Sequence, residues 1–122
     1  MVNGELLFKI KRVYDEPSAE DGYRILIDRL WPRGMSKEKA KLDFWMKDIA
    51  PSDKLRQWYG HDPEKWEVFK KKYAKELSTK DELLNQIILI EKEKGTVTLV
   101  YSSKEKELNN AVALKAMLEK AG

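Results

Sequence analysis

The sequence predicts an α/β fold: a small, mainly parallel sheet of three to four strands, flanked by about five helices, in a single domain spanning residues 1–122. Two apolar runs predict the sheet, Ile25-Leu26-Ile27 and the stretch from Val97 to Tyr101, because strands covered on both faces read as unbroken apolar segments. Segments with apolar residues at steps of three and four lie between and after them, which is helical periodicity. Strands, then helices, then a strand and a helix are typical of domains built from two or three layers.

Four segments are predicted strands. Glu5 to Val13 alternates apolar and polar residues and is predicted to be half buried. Tyr23 to Leu30 and Thr96 to Ser103 hold the two apolar runs, and Leu42 to Met46 is a short edge strand or extended segment. The loop between the first two strands is short for a parallel crossover, so the direction of that pair stays open.

Capping residues define the helices. Ser, Asp and Pro begin helices and Gly ends them, because they satisfy or avoid the unpaired backbone groups there. The predicted helices are a short one from Lys37 capped by Ser36, one capped by Ser52 and ended by Gly60, one begun by Asp62 and Pro63, one from about Lys80 to Lys94 ended by Gly95, and one from about Glu107 to Lys120.

Composition narrows the class of protein. Hydrophobic residues make up 42% of the 122 residues, which is enough for a core that needs no disulfide or structural metal. The chain has no cysteines, which excludes disulfides, iron–sulfur clusters and thiol nucleophiles. No apolar stretch approaches the roughly 20 residues that span a bilayer, and no secretory signal is visible at the N-terminus. We therefore expect a cytoplasmic protein with no membrane partner.

Charge is abundant and nearly balanced. Charged residues make up 37% of the chain, with a net charge of +3. This composition, with few Asn and Gln, leans toward a heat-adapted source. A balanced charged chain is usually a well-solvated surface, with a nucleic-acid role as the alternative. The oligomeric state stays open.

A candidate ligand site follows the second strand. Ligands gather at the carboxyl ends of strands in open α/β sheets. Here that end carries Asp28, Arg29, Trp31 and Arg33, just before the helix capped by Ser36. Guanidinium groups grip oxyanions with two parallel hydrogen bonds, and a flat ring can stack on a planar ligand. The alternative is that Asp28 and Arg29 pair with each other and that Trp31 is a core residue.

A second polar cluster follows the last strand, where Tyr101 and Ser102 precede a helix with Asn109 about one turn in. If the two strands are neighbours, both clusters line one crevice. His61 is the only histidine and hence the only side chain whose ordinary pKa is near neutrality. Together with Asp28, it is a candidate general acid or base, although a lone loop histidine is more often structural.

Signatures of cofactor chemistry are absent. The sequence has no G-x-G-x-x-G, P-loop or G-x-S-x-G motif, so no cofactor is predicted and Ser102 has no visible activating partner. With one histidine and no cysteine a zinc site is not expected, and no pair of acidic residues at a telling spacing indicates a site for Mg²⁺, so no metal site is predicted.

Four stretches of sequence resemble one family, the YeaO-like branch of domain-of-unknown-function family 488. The likeness runs from about Phe8 onward and is carried by the stretches Ile27 to Lys37, Ile49 to Ser52, Leu55 to Pro63 and Thr98 to Lys104. Matching positions are Asp28, Arg29, Trp31, Arg33, Trp58, His61, Asp62, Tyr101 and Asn109.

The resemblance implies a small cytosolic α/β domain with a parallel sheet and supplies no reaction. The wider family often carries cysteines and a histidine after its last strand. This chain has Tyr101, Ser102 and Lys104 in that stretch, and Leu108 where branch members often have histidine, so cysteine or histidine chemistry does not transfer to it.

Three functional hypotheses follow. The first is a crevice for a small anionic ligand, phosphorylated or nucleotide-like, in which Arg29 and Arg33 hold the anion with Tyr101, Ser102 and Asn109 nearby, with catalysis left open. The second is a nucleic-acid-binding module using the basic face from Arg29 to Lys41. The third is a non-enzymatic protein-interaction domain with exposed tryptophans.

Overall fold

The computed structural model describes residues 7–121 and contains a four-stranded parallel sheet with five α-helices, which confirms the predicted fold class. The strands are β1 (Phe8–Arg12), β2 (Tyr23–Leu26), β3 (Phe44–Trp45) and β4 (Val97–Tyr101). The helices are α1 (Lys37–Ala40), α2 (Asp53–Tyr59), α3 (Trp66–Leu77), α4 (Asp81–Lys94) and α5 (Asn110–Ala121), with short 3-10 turns at Ala19–Asp21, Lys47–Ile49 and Pro63–Lys65.

The strand order β1-β4-β2-β3 resolves the direction of the first strand pair. β1 and β2 do not pair with each other, because β4 lies between them and runs parallel to both. The connection over residues 13–22 can return across the sheet because the strands are short: five residues of strand span about 17 Å, and ten extended residues reach about 33 Å.

The sheet has a thick and a thin side. On the thick side, Ile25, Leu99 and Tyr101 pack with the residues of α2 to α5 in the larger core. On the thin side, Leu26 and Val100 pack with a smaller set that includes Ala40 and Trp31. The apolar runs Ile25-Leu26-Ile27 and Leu99-Val100-Tyr101 are therefore covered on both faces, as their sequences predict, while Arg24 and Thr98 are the buried polar residues of β2 and β4.

A charged network holds the β1–β2 loop against the thin side. Asp21 is buried and accepts from Lys11 at 2.9 Å and from Arg24 at 2.7 Å. Burial alone raises the pKa of the Asp21 carboxyl, but hydrogen bonds from Lys11, the Ser18 N–H and Arg24 together lower it below its ordinary value. Arg24 also donates to the Ala40 carbonyl at the end of α1.

Some boundaries differ from those expected. β2 ends at Leu26, not Leu30, because at Asp28 the side chain, and not the backbone, bonds to Ser102 in the segment that follows β4. α5 begins at Asn110, not Glu107, because the Asn109 side chain accepts from the Val112 N–H and so caps the helix. The expected start of the first strand at Glu5 lies outside the described residues.

Candidate anion-binding cavity

A cavity of about 640 Å³ opens at the carboxyl ends of β1, β2 and β4. The residues just beyond these strands form one wall, and the end of α2 and the start of α5 form the other. Seven of the eight residues predicted for the site line it: Asp28, Arg29, Trp31, Arg33, His61, Ser102 and Asn109. The exception is Tyr101, which is 3% exposed and belongs to the larger core.

Asp28 braces the end of the sheet. One carboxylate oxygen accepts from the Ser102 N–H at 2.9 Å and from its hydroxyl at 2.8 Å, and the other accepts from Asn110 Nδ2 at 3.2 Å. The backbone carbonyl of Asp28 accepts from Trp45 Nε1 at 2.7 Å. Asp28 thus connects the segment after β2 with the segment after β4 and with α5. The Ser102 hydroxyl is used in the same contact.

Both polar side-chain atoms of Asn109 are hydrogen-bonded to backbone groups. It is the N-cap of α5 and not a residue one turn inside the helix, which corrects the expected placement. Its Oδ1 accepts from the Val112 N–H at 3.0 Å, and its Nδ2 donates to the Glu105 carbonyl at 2.8 Å. Asn109 therefore shapes the cavity wall and fixes the loop that precedes α5.

Arginine is concentrated in the cavity. The chain has five arginines and 19 lysines. Arg12, Arg29, Arg33 and Arg56 line the cavity, whereas Lys104 is the one lysine in its lining. The fifth arginine, Arg24, is buried in the network beneath the β1–β2 loop. Asp28 is the one carboxylate of the lining, so the cationic side chains that line the cavity clearly outnumber the anionic one.

The four arginines differ in how far they are engaged. Arg12 donates to the Ser103 carbonyl at 2.8 Å and lies over the Tyr14 ring. Arg56 donates to Asp53 at 3.0 Å. Within residues 7–121, the exposed guanidinium of Arg33 makes no hydrogen bond, and Arg29 Nε is buried without a hydrogen-bond partner.

Aromatic rings supply the apolar part of the wall. Trp31 is half buried, donates its indole N–H to the Met35 carbonyl at 2.7 Å and packs edge-on against Trp45. Tyr14 and Tyr59 also line the cavity. Burial raises the pKa of the Tyr59 phenol, with Glu105 and Asp62 adding to the effect, so it stays neutral and donates to the Leu108 carbonyl at 2.7 Å.

His61 lies on an exposed loop at the cavity wall and has an unusual backbone. Its φ is +59°, directly after Gly60 at +52°. A left-handed conformation is unfavourable for a side chain larger than glycine and is often retained where position matters. Within residues 7–121, His61 makes no hydrogen bond that would orient its ring, while its partner in the proton-transfer hypothesis, Asp28, is held by Ser102 and Asn110.

Among residues 7–121, no three His, Asp or Glu side chains are grouped so that they could hold a metal ion. None of the helices described is long and apolar enough to cross a bilayer.

Sequence reasoning missed Arg12 and Arg56. Arg12 ends β1, and it reaches the cavity because β4 brings β1 alongside β2, which the sequence left open. Arg56 lies on the polar face of α2, and in the sequence such a residue looks the same as any solvent-exposed charged side chain. The scarcity of arginine against lysine was the signal that could have drawn attention to both.

Comparisons with known proteins agree with one another. A family model described as the inactive DUF488-N3 subclade matches residues 7–122. The protein YeaO of Escherichia coli is 41% identical over 104 residues, which cover 85% of this chain and 90% of YeaO. The uncharacterised protein Rv3073c of Mycobacterium tuberculosis is 42% identical over 73 residues, 60% of this chain. That alignment spans 62% of the mycobacterial protein, and no solved structure matches.

Proposed function

The chain is a YeaO-like member of the DUF488 family, within the subclade described as inactive, and on that premise we propose that it binds a small anionic ligand in the arginine-lined cavity without transforming it. The ligand is phosphorylated or nucleotide-like. The concentration of arginine in the cavity supports anion binding. The hydrogen bonds that the polar side chains of the cavity already make with the protein support the absence of turnover.

The distribution of arginine is the observation that carries the proposal. Four of five arginines line one cavity, against one of 19 lysines. Lysine serves well as a surface charge, whereas arginine offers a planar fork that matches carboxylate and phosphate oxygens with two hydrogen bonds. A concave wall of one charge also concentrates the field on an anion inside it.

The size and lining of the cavity favour a ligand larger than a bare ion. A volume of about 640 Å³ lies within the range of sites for small organic molecules. Trp31, Tyr14 and Tyr59 give it flat apolar walls beside the arginines. A ligand with a planar body and an anionic group, such as a nucleoside phosphate, uses both features.

The hydrogen bonds that the polar side chains of the cavity make with the protein favour binding over catalysis. Asp28 accepts three hydrogen bonds from the protein, and the hydroxyl of Ser102 is donated to Asp28. Both side chains belong to the hydrogen-bond cluster that braces the end of the sheet, so a structural role accounts for their contact with each other. His61 is exposed, and within the described residues its ring makes no hydrogen bond that would position it for proton transfer. These contacts accord with the description of the subclade as inactive.

A thermal-shift screen tests the proposal with inorganic phosphate, ribose 5-phosphate, adenosine, adenosine 5′-monophosphate and a short single-stranded DNA, each at low and moderate salt. A ligand at a hundred times its Kd should stabilise the fold by about 2.7 kcal/mol. We expect a salt-tolerant shift with a phosphorylated small molecule, lost in Arg33→Ala and kept in Lys71→Ala, which removes an exposed charge outside the cavity.

The other outcomes count against the proposal. A shift that Arg33→Ala does not reduce would refute the role of Arg33 in binding the anion. Shifts with DNA alone that fade with salt would favour nucleic-acid binding through the basic face, because counterion release makes such binding salt-sensitive. No shift with any compound would leave the protein-interaction hypothesis in front.

A further inference from the structure

We propose that Arg29 and Arg56 together hold one anionic oxygen of the ligand, and that the Asp53 carboxylate occupies this position until the ligand displaces it. This subsite rests on the function proposed above. In it, two arginines bind the anion and a carboxylate of the chain competes for them.

One oxygen of Asp53 lies between two guanidinium groups. Asp53 Oδ1 is 3.0 Å from Arg56 Nη2 and 3.9 Å from Arg29 Nε. The first distance is a hydrogen bond and the second is too long for one. The two arginines come from different elements, Arg29 from the turn after β2 and Arg56 from α2, so they converge on a single point near the cavity wall.

Arg29 Nε marks this point as an incomplete anion site. The atom is buried and has no hydrogen-bond partner among residues 7–121. A buried donor of a charged group without an acceptor is unfavourable and is uncommon in folded proteins. Asp53 is the first residue of α2, and its tethered carboxylate stops short of Arg29. An untethered phosphate or carboxylate oxygen can move closer and bond to both arginines at once.

The resident carboxylate is easy to displace. The side chains of Asp53 and Arg56 are 61% and 51% exposed. Ion pairs this exposed contribute little, because water solvates both partners well when they separate. The Asp53 carboxylate lies beside the cavity, next to two arginines that line it. It can therefore swing into solvent while Arg29 and Arg56 stay where they are.

NMR of the arginine side chains tests the subsite directly. With five arginines, the chain gives few Nε–H resonances, and Arg29→Lys identifies the one from Arg29. We expect adenosine 5′-monophosphate, and more weakly inorganic phosphate, to move the Arg29 Nε–H resonance downfield as that donor gains an acceptor. An Arg29 resonance that stays in place while the resonances of other cavity arginines move would overturn the subsite.

Replacing the competing carboxylate tests the displacement. Asp53→Asn removes the charge and keeps the shape, so it should tighten binding of adenosine 5′-monophosphate by about twofold to fivefold, the worth of an exposed ion pair. Asp48→Asn is the matched control, since it removes the same charge from an exposed side chain that touches none of the cavity arginines. We expect that variant to bind as the unmodified chain does.

The outcomes separate the subsite from the proposed function. Binding that is lost in Arg33→Ala but unchanged or weakened in Asp53→Asn refutes the subsite and leaves anion binding intact. Equal tightening in Asp48→Asn also refutes it, since general charge would then explain the gain. No binding of either probe by the unmodified chain and by Asp53→Asn refutes the proposed function and the subsite with it.

Discussion

Replacing Asp28 should destabilise the fold markedly, because this carboxylate joins three elements. Asp28→Ala removes the acceptor of the Ser102 N–H at 2.9 Å, of the Ser102 hydroxyl at 2.8 Å and of Asn110 Nδ2 at 3.2 Å. Hydrogen bonds to a charged group contribute about 1.5–3 kcal/mol each when buried, and less where water reaches them. For this half-buried cluster we expect a loss of about 2–4 kcal/mol in the free energy of unfolding.

Urea unfolding at pH 7 measures this loss. Asp28→Asn should fall between Asp28→Ala and the unmodified chain, because its amide oxygen can accept from Ser102 while its NH₂ faces the NH₂ of Asn110. Asp48→Ala is the control and should change stability by less than about 0.5 kcal/mol, since its side chain is exposed. A change of less than about 0.5 kcal/mol in Asp28→Ala, at an unchanged m-value, would refute the bracing role and reopen proton transfer for Asp28.

Three further substitutions test the fold and the loop of the cavity. The lowered pKa of Asp21 means that its ion pairs stabilise the fold above the ordinary carboxyl pKa and are lost as the pH falls through the lower folded value. Asp21→Asn should therefore destabilise strongly at pH 7, where buried Arg24 loses its partner, and the difference in urea midpoints should narrow below about pH 4. Gly22→Ala should destabilise by more than about 1 kcal/mol in thermal unfolding, because φ is +64° and a Cβ there would lie 2.5 Å from the Thr96 carbonyl oxygen; an unchanged midpoint would contradict this. His61→Gly should stabilise by about 0.5–1 kcal/mol, since φ is +59°, and a loss of stability would show that the imidazole makes a contact that matters.

The fold was predictable because local signals agreed with the tertiary structure. Apolar runs marked β2 and β4, and Ser52 and Gly60 bounded α2 as their cap chemistry predicts. The strand order was not predictable from these signals. It depends on β4 inserting between β1 and β2, and a strand covered on both faces carries no mark of which neighbours flank it.

The candidate site was predictable where it follows strand ends and not where it depends on side-chain partners. Asp28, Arg29 and Arg33 lie at the cavity as the strand-end rule predicts. The sequence could not predict which of these side chains already have partners. The contact of Asp28 with Ser102 and that of Arg29 with Asp53 join residues far apart in the chain. Tyr101 was expected at the site because it ends β4, but alternation along the strand directs its side chain into the larger core.

Binding of adenosine 5′-monophosphate by Arg33→Lys is the most direct measurement of the role assigned to the cavity arginines. Lysine keeps the charge and loses the two-pronged fork, so isothermal titration should show affinity reduced by about tenfold, equivalent to one charge-assisted hydrogen bond. An affinity within about twofold of the unmodified chain would show that charge alone suffices. The concentration of arginine in this cavity would then have no bearing on how it recognises an anion.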